Sequence, residues 1–307
     1  MMYIKLFETF EVVEPINYGD PLNNKEINIL KEYNVMCPEF IQKDDNYYYV
    51  FDHRCENIKD LPLTYINAIC KEYKIENYTI NYDYSIDVKG SVYLIGKELS
   101  KIPLKFNRVS GSFFCNGNQL TTLLGSPKWV GADFLCENNN LTTLEGGPEY
   151  VGVDFYLHSN FLVSLKGSPK SVGGDFSIYN NQLTTLEGSP QSVGGDFNCT
   201  NNKLTTLKGS PESVNGSFIC PKNRLTTLKG GPKSVGKYFF CHSNQLSTLE
   251  GSPQSVGGGF DCSINNLTTL EGGPEYIGRD LFCSNNPLRS REYKGIIKGE
   301  LVIHRTF

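Results

Sequence analysis

Seven of the ten cysteines in this 307-residue chain occupy one position of a 21-residue period. They are Cys115, Cys136, Cys199, Cys220, Cys241, Cys262 and Cys283. Thiolates at a regular spacing could bind a metal ion or pair as disulfides. The two remaining copies of this position hold Leu157 and Ile178, which can do neither. A position shared by Cys, Leu and Ile is typical of an apolar core, so we predict buried free thiols, no metal site and a reducing compartment.

A second group of residues able to do chemistry lies near the N-terminus, where Asp52, His53, Cys55 and Glu56 stand close together. A thiol beside an imidazole could act as a nucleophile with its base. The run is short and polar, however, which is typical of a hairpin turn. We therefore predict a turn at this place, no enzymatic activity and no cofactor.

Asparagine is the most constant residue of the period. It recurs without substitution at Asn118, Asn139, Asn160, Asn181, Asn202, Asn223, Asn244, Asn265 and Asn286. A buried amide both donates and accepts hydrogen bonds, so it can satisfy backbone groups at a turn that no sheet reaches. The pattern favours a structural ladder of stacked asparagines over a catalytic or metal-binding role.

The elements that position these residues follow from the alternation around each cysteine. In residues 196–200, Phe197 and Cys199 alternate with Asp196, Asn198 and Thr200, and a period of two is typical of a strand. A strict repeat predicts the stacked coils of a solenoid, whose strands pair side by side in one parallel sheet. The return half of each coil contains a Gly-x-Pro turn and a valine; it is too short for a helix and is predicted to be extended.

The period divides the chain into three parts. Residues 1–77 lack it and are predicted to form a small α+β cap, with helices at 24–33 and 63–73, a strand at 44–52, and an opening segment that is either a strand or a short helix. Residues 78–288 are predicted to form the solenoid, as two degenerate coils followed by eight full ones. Residues 289–307 are predicted to close it with a capping strand that has Val302 in the phenylalanine position.

Composition argues against several classes of partner. The net charge is −4 with acids and bases interspersed, so there is no basic patch for nucleic acid. No apolar run is long enough for a signal peptide or a membrane span. We therefore expect no nucleic-acid or membrane partner and a cytoplasmic location. The opening residues 4–10, IKLFETF, are similar to the first residues of many tailed-phage proteins; if the chain is encoded by a phage, the expected location is the cytoplasm of the host cell.

The stretch FxCxxNxLxxL, as in Phe197, Cys199, Asn202, Leu204 and Leu207, resembles the LxxLxLxxNxLxxL motif of the leucine-rich repeat family over residues 86–303. It departs from the motif because Phe and Cys replace two strand leucines and a valine one residue further upstream replaces the first. The short period is similar to that of bacterial members. The resemblance implies a right-handed coil with one parallel sheet on the concave side, a helix-poor convex side, and a concave face that binds other proteins.

Function is predicted to lie at the outward strand positions, because these differ between coils while the inward positions do not. Exposed aromatic residues on a sheet face are suited to protein binding. The candidate partner-binding residues are Phe114, Leu135, Tyr156, His158, Tyr179, Ile219, Tyr238, Phe240, His242 and Phe282. Two denser clusters are predicted within this set, one around Tyr156 and the other around Phe240.

Other interpretations remain open at this point. The outward residues could be drifting surface positions without a function. The protein could have a structural or assembly role in which its caps make the contacts. Paired threonines such as Thr184–Thr185 and Thr205–Thr206 superficially suggest an ice-binding face, but they lie within a turn, where hydroxyls commonly bond to the backbone.

Overall fold

The computed structural model describes residues 38–43, 46–51 and 61–303. The chain divides into two compact units, Met1–Glu72 and Tyr73–Phe307. Several predictions lie outside the described residues: the opening segment including residues 4–10, the helix at 24–33, the Asp52–His53–Cys55–Glu56 turn, and the end of the tail at 304–307.

The described part of the first unit contains two paired strands and a helix. Strands β1 (Pro38–Lys43) and β2 (Asn46–Phe51) pair antiparallel, with Lys43 opposite Asn46. Helix α1 (Leu61–Glu72) follows. The strand predicted at 44–52 corresponds to β2 and the helix predicted at 63–73 corresponds to α1, whereas β1 has no counterpart among the predicted elements.

The second unit is a β-solenoid. It begins with β3 (Tyr78–Ile80), β4 (Ile86–Val88), β5 (Val92–Tyr93), β6 (Phe106–Val109) and β7 (Phe113–Phe114). Every later coil adds two strands of two residues each. These are β8 (Trp129–Val130), β9 (Phe134–Leu135), β10 (Tyr150–Val151), β11 (Phe155–Tyr156), β12 (Ser171–Val172), β13 (Phe176–Ser177), β14 (Ser192–Val193), β15 (Phe197–Asn198), β16 (Ser213–Val214), β17 (Phe218–Ile219), β18 (Ser234–Val235), β19 (Phe239–Phe240), β20 (Ser255–Val256), β21 (Phe260–Asp261), β22 (Tyr276–Ile277), β23 (Leu281–Phe282), β24 (Ile296–Ile297) and β25 (Leu301–Val302).

The strands form two sheets, and this corrects the prediction of one. An 11-stranded parallel sheet, here called the phenylalanine sheet, runs from β5 to β25 through the odd-numbered strands. A 12-stranded sheet, here called the valine sheet, runs from β3 and β4 through the even-numbered strands to β24, with only the β3–β4 pair antiparallel. The return segment is extended, as predicted, and its backbone also pairs between coils, as in the bond from Gly194 N to Val172 O (3.0 Å). The prediction of a parallel-stranded solenoid poor in helix is confirmed.

Identical positions of neighbouring coils lie side by side because the strands pair in register. Phe155 pairs with Phe176 and Val172 with Val193. The eight phenylalanines from Phe113 to Phe260 are all fully buried, with successive ring centroids 5.1–5.8 Å apart. Burial of each ring stabilises the fold by about 1.5–3 kcal/mol, so this column is a large part of the core.

The cysteine column lies inside the same core. The seven repeat cysteines are buried and free. Burial raises the pKa of the thiols of Cys199 and Cys220, which are therefore protonated at neutral pH. A protonated thiol without solvent contact is neither a metal ligand nor a nucleophile. The prediction of packed free thiols is confirmed for these residues.

The last coil is one residue shorter than the others, which corrects the register predicted for the tail. Ile296 pairs with Tyr276 and Leu301 with Leu281, so Leu301 rather than Val302 takes the phenylalanine position. Tyr293 replaces the turn glycine of the other coils, and its hydroxyl donates a hydrogen bond to Pro274 O. The tail does form a final strand in each sheet.

Candidate interaction surface

Three outward columns on the phenylalanine sheet hold the candidate residues. In each coil the first column precedes the phenylalanine, the second follows it, and the third follows the cysteine. Alternation in the strand directs these side chains away from the core. In the coil of Phe197 and Cys199, they are Asp196, Asn198 and Thr200.

The asparagine ladder fixes the end of each strand and therefore the third column. Asn202 Nδ2 donates to Ile178 O (3.0 Å) in the preceding coil and to Cys199 O (3.1 Å) in its own coil. Its Oδ1 accepts from Leu183 N (3.1 Å). The same bonds recur along the ladder, and all of its members except the partly exposed Asn244 are buried. The amides thus satisfy turn groups of two coils at once, as the sequence predicts.

The first column contains an aspartate ladder with a backbone role that the sequence did not reveal. Each carboxylate Oδ1 accepts the backbone N–H of the same position in the next coil. The N–H of Asp175 donates to Asp154 (2.8 Å), that of Asp196 to Asp175 (2.7 Å), and that of Ser217 to Asp196 (2.7 Å). Asp133 accepts from Asp154 N in the same way (3.2 Å). Four successive coils therefore place negative charges side by side.

The first aromatic cluster lies beside these carboxylates. The ring of Tyr156 crosses towards the first column, and its hydroxyl donates to Asp154 Oδ2 (3.2 Å) and approaches Asp175 Oδ2 (3.5 Å). Burial and these carboxylates raise the pKa of Tyr156, so its hydroxyl keeps its proton. His158 stacks on Tyr179 with ring centroids 4.2 Å apart.

Three polar atoms in the third column of this region have no hydrogen-bond partner among the described residues. They are Asn116 Oδ1, Glu137 Oε2 and His158 Nδ1, which belong to successive coils. Burial raises the pKa of Glu137 and lowers that of His158, so His158 is neutral at pH 7. Buried polar atoms are normally paired, and these three are shielded from solvent without a partner; the tautomer of His158 decides whether its Nδ1 donates or accepts.

The second cluster lies further along the solenoid, where the aspartate ladder is interrupted. Tyr238 occupies the first column and stacks on Phe240, with ring centroids 5.5 Å apart. Gly259, the next residue of the same column, leaves room for this ring; a Cβ there would lie 3.4 Å from Tyr238 Cδ1. Arg279 lies 6.0 Å from the Tyr238 ring centroid.

All ten predicted residues lie on the outer side of the phenylalanine sheet, and the structure sorts them into two groups. Phe114, Leu135, Tyr156, His158 and Tyr179 belong to the first cluster region. Ile219, Tyr238, Phe240, His242 and Phe282 belong to the second. Ser177 and Asn198 separate them in the second column, and Ser177 is buried. Phe282 is 36% exposed, and the other nine side chains are half-buried.

Two aromatic groups lie outside the ten predicted residues. Tyr93 extends the first cluster, since it stacks on Phe114 at 5.1 Å and is largely exposed. On the valine sheet, the Arg108 guanidinium lies 3.8 Å from the Trp129 ring centroid, and Trp129 stacks on Tyr150 at 5.5 Å. A signal for the valine-sheet group is present in the sequence. The position before the valine is serine in five consecutive coils, but it is aromatic at Trp129 and Tyr150.

The second threonine of several pairs has the local role expected of a turn. Thr185 Oγ1 donates to Lys208 O (3.0 Å), and Thr227 Oγ1 donates to Glu250 O (2.8 Å). Thr206 Oγ1 accepts the N–H of Lys208 (3.2 Å). These hydroxyls are therefore occupied by backbone groups of their own and the next coil.

Within the described residues, no group of three or more His, Cys, Asp or Glu side chains is arranged to hold a metal ion. No helix in that part of the chain has the length and apolar character needed to cross a bilayer. Comparison with known proteins does not name a family: no family model matches the chain, and no curated protein matches it either.

Proposed function

We propose that this protein is a non-enzymatic interaction module that binds a protein partner on the outer side of the phenylalanine sheet. One observation supports this above the others. Aromatic side chains that differ from coil to coil gather in two clusters on that sheet, whereas the corresponding column of the valine sheet repeats serine from Ser171 to Ser255. Aromatic residues bury a large area at a low entropic cost, which is why they dominate protein interfaces.

The resemblance to leucine-rich repeats, whose sheet face binds proteins, supports the same proposal. A row of carboxylates on this face disfavours nucleic acid and anionic membranes as partners. Buried free thiols are suited to a reducing compartment, so we extend the proposal to a cytoplasmic location, which is the host cytoplasm if the chain is encoded by a phage.

The test compares aromatic-to-serine changes on the two sheets. Tyr156→Ser and Phe240→Ser remove one anchor from each cluster, and serine is already native to that column at Ser177. Tyr150→Ser and Tyr276→Ser are the matched controls, since serine fills their column in the coils between them. A partner captured by cross-linking to the wild-type chain is then titrated against each purified variant.

We expect the partner's Kd to rise about tenfold or more for Tyr156→Ser or Phe240→Ser, since truncating an interface anchor costs about 2 kcal/mol. The valine-sheet controls should bind like the wild type. Equal binding by all four variants, or a loss confined to the controls, would refute the proposed face.

A second candidate function is assembly through the end of the solenoid. It is favoured by Ile296 and Leu301, which are 58% and 36% exposed on the last strands of the two sheets. Unpaired edge strands readily pair with another chain. Sedimentation of the wild type and of an Ile296→Lys variant distinguishes this function: an oligomer that dissociates in the variant would support it, and a monomer in both would exclude it.

A further inference from the structure

We propose that the part of the phenylalanine sheet from β7 to β15 binds an extended basic segment of the partner, with arginine side chains stacked on its aromatic residues and paired with its carboxylates. We call this part the acidic–aromatic surface. The inference rests on the interaction function proposed above and specifies the chemistry of the partner.

Charge is the first argument. The outward columns of the acidic–aromatic surface carry five carboxylates and, between Ser112 and Thr200, no lysine or arginine. The carboxylates are Asp133, Asp154, Asp175, Asp196 and Glu137. In-register stacking separates neighbouring strands by about 4.8 Å, a distance at which two like charges repel each other even in water. A cationic ligand removes this repulsion.

Another charged column of the solenoid shows that this arrangement is not a necessary result of stacking. Where the turn after the leucines places charges side by side, acids and bases pair between coils. Lys208 Nζ lies 2.6 Å from Glu187 Oε1, and Lys229 Nζ lies 2.8 Å from Glu250 Oε1. No such ion pair involves the aspartate ladder within the described residues. Its negative charge is therefore available to a partner.

The unpaired polar atoms of the third column are the second argument. Asn116 Oδ1, Glu137 Oε2 and His158 Nδ1 form a row along the third column, and none has a hydrogen-bond donor in the described structure. A guanidinium group presents five N–H donors in a plane and has no acceptor. These atoms are shielded from solvent in the unbound protein, so a bound arginine pairs with them only when their side chains turn outward; the bond to the Glu137 carboxylate would be the strongest of these.

The aromatic residues are the third argument, and they favour arginine over a simple metal cation. The rings of Phe114, Tyr156 and Tyr179 lie on the same surface as the carboxylates. A guanidinium stacked on such a ring is attracted to the negative face of the ring, and the attraction grows as water is removed. The described residues offer no cluster of three metal-binding side chains, so this surface is less suited to a divalent metal ion than to an arginine side chain.

A synthetic peptide tests the inference. The probe is an extended peptide with arginine alternating with threonine; the matched probe replaces each arginine with citrulline, which has nearly the same shape and no charge. Binding is measured by isothermal titration calorimetry at several salt concentrations, with and without calcium chloride. We expect the arginine peptide to bind about tenfold or more tightly than the citrulline peptide, and to weaken as salt screens the charges.

Variants that remove charge but keep shape locate the site. In a Glu137→Gln, Asp154→Asn, Asp175→Asn protein, each Asn Oδ1 can still accept the backbone N–H of the next coil. Asp280→Asn is the control, since Asp280 lies in the same column outside the acidic–aromatic surface and accepts Glu300 N at 2.8 Å. The triple variant should bind the arginine peptide about tenfold or more weakly, while the control should bind it like the wild type. Circular dichroism confirms that both are folded.

The outcomes separate this inference from the proposal on which it rests. Equal affinity for the two peptides, equal binding by the triple variant, or loss of peptide binding on adding calcium as a specific competitor would overturn the basic-segment inference. Protein binding that still depends on Tyr156 and Phe240 would then remain, with a partner of other chemistry. If the peptide results hold but Tyr156→Ser and Phe240→Ser leave partner binding unchanged, the proposed function fails instead.

Discussion

The two sheets of the solenoid are built alike and differ in what they present to solvent. Both have strands of two residues in each regular coil and pair identical positions of neighbouring coils. On the valine sheet the outward residue is serine from β12 to β20. On the phenylalanine sheet the second column changes in every coil, through Phe, Leu, Tyr, Ser, Asn, Ile, Phe, Asp and Phe from Phe114 to Phe282. Both sheets therefore leave their outer positions free. The phenylalanine sheet varies its second column in every coil, whereas the valine sheet carries large outward side chains only towards its two ends, as at Trp129, Tyr150 and Tyr276.

The sheets also differ inside the solenoid, and this difference should appear in stability. Phe197→Ala removes a fully buried ring of the phenylalanine sheet and should lower the free energy of unfolding by about 3–5 kcal/mol. Val193→Ala, in the same coil of the valine sheet, removes two methyl groups and should cost about 1–2 kcal/mol. Urea denaturation followed by circular dichroism measures both. Equal losses would show that the two sheets contribute alike to the core.

Two turns of the coil provide a second test: the turn after each phenylalanine-sheet strand and the turn before each valine-sheet strand. Asn202→Ala leaves several backbone groups of two coils without a hydrogen-bond partner. It should lower the free energy of unfolding by about 2–4 kcal/mol, because each buried polar group left unpaired costs about 1–3 kcal/mol. Ser189→Ala, at the corner before the valine sheet, removes a single bond to Leu186 O (2.8 Å) and should cost about 1 kcal/mol. A cost for Ser189→Ala as large as that for Asn202→Ala would contradict the special role of the ladder.

The smallest expected effect concerns the two positions of each regular coil whose backbone has a positive φ. Before the valine strand the position is glycine in the regular coils from Gly125 to Gly272, as at Gly251 (φ 88°), where a Cβ would lie 2.4 Å from Lys229 N. Before the ladder asparagine, φ is 52–56° in the regular coils, and Asn is common there. Ile264 adopts φ 56° with a branched side chain that is 52% exposed. Ile264→Asn should therefore raise the free energy of unfolding by about 1 kcal/mol; a loss on denaturation would show that the isoleucine makes a favourable contact.

The period alone was enough to predict the solenoid, its inward columns and the asparagine ladder, because packing imposes the same residue in every coil. The second sheet could not be read in this way. Its strands, such as Ser192–Val193, are only two residues long, so no alternation is visible, and valine is equally suited to an unpaired extended segment.

For the candidate surface, the sequence predicts which residues face outward but not the contacts between them. The aspartates are polar outward residues in the sequence, and nothing there shows that Asp154 and Asp175 accept backbone N–H groups of the next coil. Nor does the sequence show that Tyr156 reaches across to these carboxylates. Such contacts join residues about one coil apart, and their existence depends on register and side-chain direction rather than on residue type.

In-register pairing of like with like also makes each coil interchangeable with its neighbours. Because Phe176 meets Phe197 as Phe155 meets Phe176, a whole coil can be excised or duplicated without creating a new kind of interface. Unequal crossing-over between repeats of the gene is therefore a route to change the molecule in whole-coil steps. Each coil gained or lost between the two aromatic clusters would change their separation by one strand spacing, and with it the distance between the two parts of the proposed interaction surface.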